Sequence, residues 1–167
     1  MFAETVIHAG GTTHGHATEA HAVRLLRTAI RRGYTVTPTR DGGASITWTA
    51  RRLIAPGGIA TAARSITLTP DTPAGVLTEG IRADLAAVDQ ATAALPLLQG
   101  GRLAIRAGLC LVGPAATSRL YGRRLVTEER GRVRLTLVAH LALLATRDAS
   151  SPTVAAFFRA ELTEQPA

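Results

Sequence analysis

The residues of this chain best suited to bind another molecule lie between positions 117 and 134. Residues 119–134 hold six arginines and two glutamates, a local net charge of +4. Guanidinium groups bind phosphate oxygens, and hydroxyl groups near a helix start reach phosphates or base edges. These residue types therefore favour recognition of duplex DNA. The expected contacts come from Thr117, Ser118, Arg119, Tyr121, Arg123, Arg124, Arg130 and Arg132.

Other reactive residue types lack the neighbours that catalysis or metal binding needs. Four histidines crowd the N-terminus: His8, His14, His16 and His21. No cysteine or close carboxylate pair completes a metal site there, and a mobile arm does not fix ligand geometry. Cys110 stands among apolar residues, which favours a buried, inert thiol. We therefore expect no metal, no cofactor, no small-molecule substrate and no enzymatic activity.

Composition and charge narrow the class of protein. The chain has 167 residues, 46% of them hydrophobic, one cysteine and a formal net charge of +7. Codon usage can explain why every cation is arginine, but not why 19 cations face 12 acids; a net positive field favours polyanionic partners. The most apolar stretch, Leu135 to Ala145, is too short to span a membrane. With a single cysteine and no signal peptide at residues 1–10, we expect a cytoplasmic protein.

The first half of the chain reads as one helix followed by three strands. Residues 1–16 show no periodicity and predict a flexible arm, in which Val6 and Ile7 could add a short edge strand. Apolar residues recur at three- and four-residue spacing over residues 17–32, which predicts a helix. Two alternating runs flank Asp41-Gly42-Gly43 and predict a hairpin, and Ser65 to Thr69 predicts a third strand.

The second half mixes helices with a further hairpin. Helices are predicted over residues 75–94, 115–124 and 137–146, and strands over residues 125–129 and 132–137. Residues 102–109 fit a strand or a short helix equally well. A final helix after Pro152 gathers four apolar side chains, which we expect either to pack on the body of the chain or to form a homodimer interface: Val154, Phe157, Phe158 and Leu162.

The order of elements between Gly113 and Ala145 resembles the winged-helix class of DNA-binding domains. In that class a recognition helix leads through Leu-Val into a hairpin wing, whose second strand ends in Leu-Thr before another helix. Leu125-Val126 and Leu135-Thr136 stand at those two places. The resemblance covers about seventy residues and implies that the helix and the turn at Arg130-Gly131 contact DNA.

These patterns together predict an α+β protein in which an N-terminal helix packs on a three-stranded antiparallel sheet, followed by a winged-helix-like unit. The predicted divisions are a flexible arm (1–16), a helix-and-sheet unit (17–72), the winged-helix-like unit (73–150) and a C-terminal helix with its tail (151–167). The predicted function is non-enzymatic binding of duplex DNA by a homodimeric transcriptional regulator or accessory factor. The alternative is a protein-interaction or assembly module that uses the same scaffold without DNA.

Overall fold

The first half of the chain builds a five-stranded antiparallel sheet. The computed structural model describes residues 1–8, 10–49, 54–55, 58–59 and 63–146. The strands of this half are β1 (Phe2–His8), β2 (Gly11–Ala17), β3 (Thr35–Pro38), β4 (Ala44–Thr49), β5 (Ile54–Ala55), β6 (Gly58–Ile59) and β7 (Ala63–Pro70). The five-stranded sheet has the order β2-β1-β7-β4-β3, and β5 and β6 form a small separate hairpin.

Helix α1 (Glu19–Arg31) covers one face of this sheet. Thr18 caps its first turn by accepting a hydrogen bond from the backbone N–H of His21, and Gly33, at φ +74°, follows its C-terminal end. Ala22 and Leu26 pack against the apolar strand residues, among them Phe2 and Leu68. Strand alternation turns the remaining side chains to the opposite face. That outward face is rich in hydroxyl groups: Thr5, Thr12, Thr35, Thr37, Ser45, Thr47, Ser65, Thr67 and Thr69.

The predicted fold class is wrong in the size of this sheet. It has five strands, not three, because residues 2–8 and 11–17 form the paired strands β1 and β2. Strand β1 also pairs with β7 over six residues, from Phe2 opposite Pro70 to Ile7 opposite Ser65. Long-range pairing of this kind orders a Gly-, Thr- and His-rich segment whose own sequence shows no strand periodicity.

The second half of the chain is a mixed unit of helices and small sheets. Its elements are α2 (Glu79–Gln90), β8 (Ala94–Gln99), β9 (Arg102–Ala107), β10 (Cys110–Val112), α3 (Pro114–Gly122), β11 (Val126–Glu129), β12 (Arg132–Leu135) and α4 (Leu137–Thr146). A three-stranded meander with the order β10-β9-β8 lies between α2 and α3 in the chain, and β11 and β12 pair as a hairpin.

The meander resolves the segment that the sequence left open. Residues 102–107 are strand β9, so no helix directly precedes α3 among the described residues. Pro96 lies in β8, an outer strand of the meander. Proline is tolerated there because the strand has a side that needs no ladder hydrogen bond.

Helix α4 joins the two halves into one packed body. Leu137, Leu141 and Leu144 belong to the core under the five-stranded sheet, whereas Ala142 and Leu143 belong to the core of the second half. A helix that is apolar all round is buried on both sides, as this one is. Glu19 of α1 accepts a hydrogen bond from the Leu137 N–H at 3.0 Å, which places a carboxylate at the α4 N-terminus. None of the helices in the described part of the chain reaches the length and hydropathy that a membrane crossing requires.

Candidate nucleic-acid interface

Helix α3 begins at Pro114, after the N-cap residue Gly113, and presents one face to the core. Leu120 is buried in the core of the second half of the chain, called the second core below. Ser118 and Arg119, between the buried positions, are exposed. The outward face of α3 therefore offers one hydroxyl and one guanidinium from the expected set.

Thr117 does not lie on that outward face. Its side chain is 0% exposed, and its hydroxyl donates a hydrogen bond to the Val112 carbonyl oxygen at 3.0 Å. The bond ties the first turn of α3 to the end of β10. Thr117 was expected to contact DNA, but its place in the structure is a buried polar link between two elements.

Arg123 is likewise turned toward the protein. Its Nη2 donates hydrogen bonds to the carbonyl oxygens of Ala74, at 2.6 Å, and Val76, at 3.0 Å. These bonds hold the segment between β7 and α2 against the C-terminal end of α3. Hydrogen bonds from a charged donor to carbonyl groups are among the stronger ones, so Arg123 acts as a structural clamp.

Tyr121 is half-buried, and its hydroxyl oxygen is enclosed without a hydrogen-bond partner among the described residues. Burial raises the pKa of the phenol, and the negative charge of Glu128 raises it further. The ring packs against the second core. Tyr121 therefore packs between α3 and the core and does not present its hydroxyl to a ligand.

The end of α3 is fastened to the base of the β11–β12 hairpin. Thr136 donates its hydroxyl hydrogen to the Arg124 carbonyl oxygen at 2.9 Å, and its N–H bonds the Leu125 carbonyl at 3.0 Å. Leu125 and Leu135 are buried in the second core. The Leu-Val and Leu-Thr pairs of the sequence thus form the junction that fixes the hairpin relative to the helix.

Arg124 and Arg130 stand at two turns and are both exposed. They have φ angles of +54° and +53°, a left-handed conformation that non-glycine residues rarely adopt. Arg124 follows the last turn of α3. Arg130 and Gly131 link β11 to β12, and left-handed residues at both turn positions match the twist of a two-residue hairpin.

The hairpin carries further arginines on one of its faces. Arg132 pairs with Glu129 across the two strands, and Arg134 pairs with Thr127. Arg134 Nη1 lies 3.8 Å from Glu129 Oε2, but both side chains are largely exposed, so solvent weakens their attraction. Sequence reasoning selected Arg132 and passed over Arg134. The alternation of Arg132, Val133, Arg134 and Leu135 would have placed both arginines on the same face.

Arg119 has an acidic neighbour on α2. Its guanidinium lowers the pKa of the Asp84 carboxyl, although burial of that carboxyl has the larger effect and raises the pKa overall. A DNA phosphate near Arg119 would therefore have to compete with a carboxylate. The arginines at the two turns, Arg124 and Arg130, have no ion pair among those found in the described part of the chain.

Exposed leucines lie at both ends of the meander, and sequence reasoning missed them. Leu98 and Leu103 pair across β8 and β9 near their turn, and Leu98 is 74% exposed. Leu95, Leu109 and Leu111 are exposed at the other end of the meander. The signal in the sequence was the run of residues 94–112, in which apolar and polar residues alternate poorly.

Two sequence predictions remain to be placed. Cys110, expected to be buried, is exposed at the start of β10 because it follows directly on the β9–β10 turn. The four residues of the expected dimer interface, Val154, Phe157, Phe158 and Leu162, lie outside the described residues.

Comparison of the chain with protein-family models, with curated proteins and with solved structures finds no match.

Proposed function

We propose that the protein binds duplex DNA without catalysing a reaction, as a transcriptional regulator or accessory factor. The contacts come from the helix–hairpin surface, which we define as Ser118, Arg119, Arg124, Arg130 and Arg132. The observation that carries the proposal is the exposure of these four arginines on two elements fastened to each other through Thr136. Thr117, Tyr121 and Arg123 leave the contact set because each faces the protein interior or another segment.

The surface favours contacts to the phosphate backbone over readout of bases. Its cations stand at a helix end and at a hairpin turn, places where an arginine can reach a phosphate without entering a groove. Ser118 is the group on α3 whose hydroxyl could reach a base edge. Binding should accordingly be sensitive to salt and weakly selective for sequence.

A salt titration of duplex binding tests the proposal. Fluorescence anisotropy with a labelled duplex gives the slope of log K against log salt for the unaltered chain and for two double variants, Arg119→Ala with Arg124→Ala and Arg130→Ala with Arg132→Ala. Each double variant should weaken binding and reduce the slope by roughly 2, since each phosphate contact contributes about 0.9 to it.

A matched control separates local contacts from net charge. Arg24→Ala with Arg31→Ala also removes two positive charges, but from exposed positions on α1. This variant should keep most of the salt dependence. The proposal fails if the control weakens binding as much as the helix–hairpin variants, or if the unaltered chain does not bind DNA at low salt.

The exposed leucines of the meander favour a second candidate function, a protein-interaction module. Leu95 and Leu111 flank Arg106 on one face of the meander, and large exposed apolar side chains are candidates for contact with another protein. This function predicts no retention on DNA and a self-association that weakens when Leu98→Ser and Leu109→Ser are combined. Sedimentation velocity of that variant, beside the DNA titration, distinguishes the two functions.

A further inference from the structure

The N-terminal hairpin places two histidines on the same outward face of an ordered strand. His14 lies opposite Thr5, and His16 lies opposite Ala3, in the register of β1 and β2. Residues two apart along a strand point to the same side, with Cα atoms about 6.6–6.8 Å apart. Both side chains are exposed. A mobile arm would not fix the geometry of a metal site, but these residues belong to a five-stranded sheet.

The neighbour of His14 suits it to act as a metal ligand. Its Nδ1 lies 3.2 Å from the Thr5 hydroxyl oxygen. When Nδ1–H donates to that oxygen, Nε2 carries the free lone pair that a metal ion requires. A hydrogen bond to the remote ring nitrogen is the usual way in which a protein orients an imidazole ligand.

The outward face of the sheet around His14 offers a divalent cation no repulsion from arginine side chains of the described strands. A row of polar, uncharged side chains crosses the sheet from His14 through Thr5, Thr67, Ser45 and Thr37. The outward-facing positions of the described strands with placed side chains carry no arginine, although the chain has a net charge of +7. A bound divalent ion would therefore meet no guanidinium on this face.

At this place the described residues of one copy supply two ligands, His14 and His16. The described residues contain no group of three or more histidine, cysteine, aspartate or glutamate side chains suited to a metal ion. Zinc ordinarily takes four ligands in a structural site and three protein ligands in a catalytic one. A tight site therefore needs further ligands beyond His14 and His16, and a second copy of the chain can supply them.

The position of β2 indicates where those ligands come from. Strand β2 is one of the two outer strands of the sheet, and within the described part of the chain its one pairing partner is β1. Its seven residues, Gly11–Ala17, include neither a charged side chain nor proline, the usual protections of a free edge. The sequence His14-Gly15-His16 reads the same in both directions, so a second copy can pair antiparallel about Gly15. His14 would then face His16 of the second copy, with Cα atoms about 5.5 Å apart.

We propose that two copies of this chain pair along β2 and bind one divalent transition-metal ion, such as Zn²⁺, through His14 and His16 of each copy. Four imidazoles satisfy the tetrahedral preference of zinc. The metal ion would hold the two β2 strands together, and the pairing of the strands would bring the four imidazoles close to one another. This site is independent of the proposed DNA contacts, which lie on α3 and the β11–β12 hairpin.

Sedimentation velocity and titration calorimetry with ZnCl₂ test the site on the full chain without an affinity tag. Zinc should convert monomer to dimer at one ion per two chains, and EDTA should reverse the change. His14→Ala and His16→Ala should each abolish the zinc-induced dimer. His8→Ala is the matched control, because His8 lies on the opposite face of β1 and its Nδ1 accepts a hydrogen bond from Gly10.

Three outcomes would overturn the proposal. The first is the absence of zinc binding at micromolar concentrations. The second is one ion per chain on a monomer, which would show that a second copy contributes no ligand. The third is a dimer whose zinc dependence survives in both His14→Ala and His16→Ala, since the ligands would then lie elsewhere.

Discussion

At the scale of single residues, chain neighbours in α3 and directly after it have opposite roles. Thr117 and Ser118 are adjacent hydroxyl residues on α3, yet one is buried and the other exposed. Arg123 and Arg124 are adjacent cations, yet the first binds two carbonyl oxygens and the second points to solvent. Residue type therefore predicts what chemistry is possible. Helix phase for Thr117 and Ser118, and the turn that ends the helix for Arg123 and Arg124, decide which residue can perform it.

Thr117→Val should destabilise the protein without altering the helix–hairpin surface. The substitution keeps the shape of the side chain but removes the hydroxyl that donates to the Val112 carbonyl. Loss of a buried hydrogen bond costs about 1–2 kcal/mol, measured as the change in the free energy of unfolding in urea. Ser118→Ala is the control and should change that free energy by less than about 0.5 kcal/mol. Equal effects of the two substitutions would contradict the buried role of Thr117.

Asp84→Asn should raise stability at neutral pH. Burial raises the pKa of Asp84 above its ordinary value of 3.8, and the opposing attraction to Arg119 is smaller. A carboxyl group whose pKa is raised by folding stabilises the folded state below that ordinary value, and this contribution is lost as the pH rises through the folded-state pKa.

Asparagine stays neutral at every pH, so the gain from Asp84→Asn should vanish below about pH 3.8. Urea unfolding of both proteins at several pH values measures the difference. A variant that is less stable than the original protein at pH 7 would show that the attraction to Arg119 outweighs the cost of burial.

At the scale of elements, the β3–β4 turn and α4 approach each other closely at Gly42. This residue has a φ of +90°, and a Cβ placed on it would lie 2.6 Å from the Val138 carbonyl oxygen and would collide with the Val138 side chain. The turn must therefore carry a residue with no side chain, both for its backbone conformation and for its contact with the helix.

Gly42→Ala should lower the free energy of unfolding by about 1–3 kcal/mol or more, because backbone strain adds to the clash with α4. Gly101→Ala in the β8–β9 turn is a suitable control, since Gly101 has a φ of +75° and open space around it. The control shares only the backbone strain. If thermal or urea unfolding showed the same loss for both variants, the close approach of the turn to α4 would be disproved.

At the scale of the whole molecule, α4 makes the two halves one cooperative unit. It contributes Leu141 and Leu144 to the core beneath the large sheet, and Ala139 and Leu143 to the core of the second half. Packing on both sides of one helix means that neither core can open without exposing apolar surface in the other. We therefore expect a single unfolding transition for residues of both halves.

Leu141→Ala should destabilise the entire protein by about 2–5 kcal/mol, the usual cost of truncating a fully buried leucine. Trp48, the only tryptophan, reports on the sheet by fluorescence, and far-ultraviolet circular dichroism reports on both halves. The two signals should still change together in the variant. Leu98→Ala, at a largely exposed position, should have little effect. Separate transitions for the two signals would contradict the joining role of α4.

Sequence patterns predicted the local elements well wherever the chain's own periodicity was strong. Helix α1 and the β11–β12 hairpin stand close to their predicted positions, and α4 spans its predicted residues 137–146. The candidate surface was predicted in part, since Ser118, Arg119, Arg124, Arg130 and Arg132 are exposed. The positions of Thr117 and Arg123 depended on helix phase and on a partner segment 47 to 49 residues earlier in the chain, which local spacing does not contain.

The sequence by itself determined that the chain is basic, that its cations concentrate in residues 119–134, and that helices alternate with hairpins. These properties follow from charge, turn residues and short-range periodicity. Only the tertiary structure decided that residues 2–8 and 11–17 complete a five-stranded sheet, that Arg123 binds the segment before α2, and that His14 and His16 share a face. Each of these depends on pairing between distant segments, where burial and backbone hydrogen bonds outweigh the weak local preferences of the residues involved.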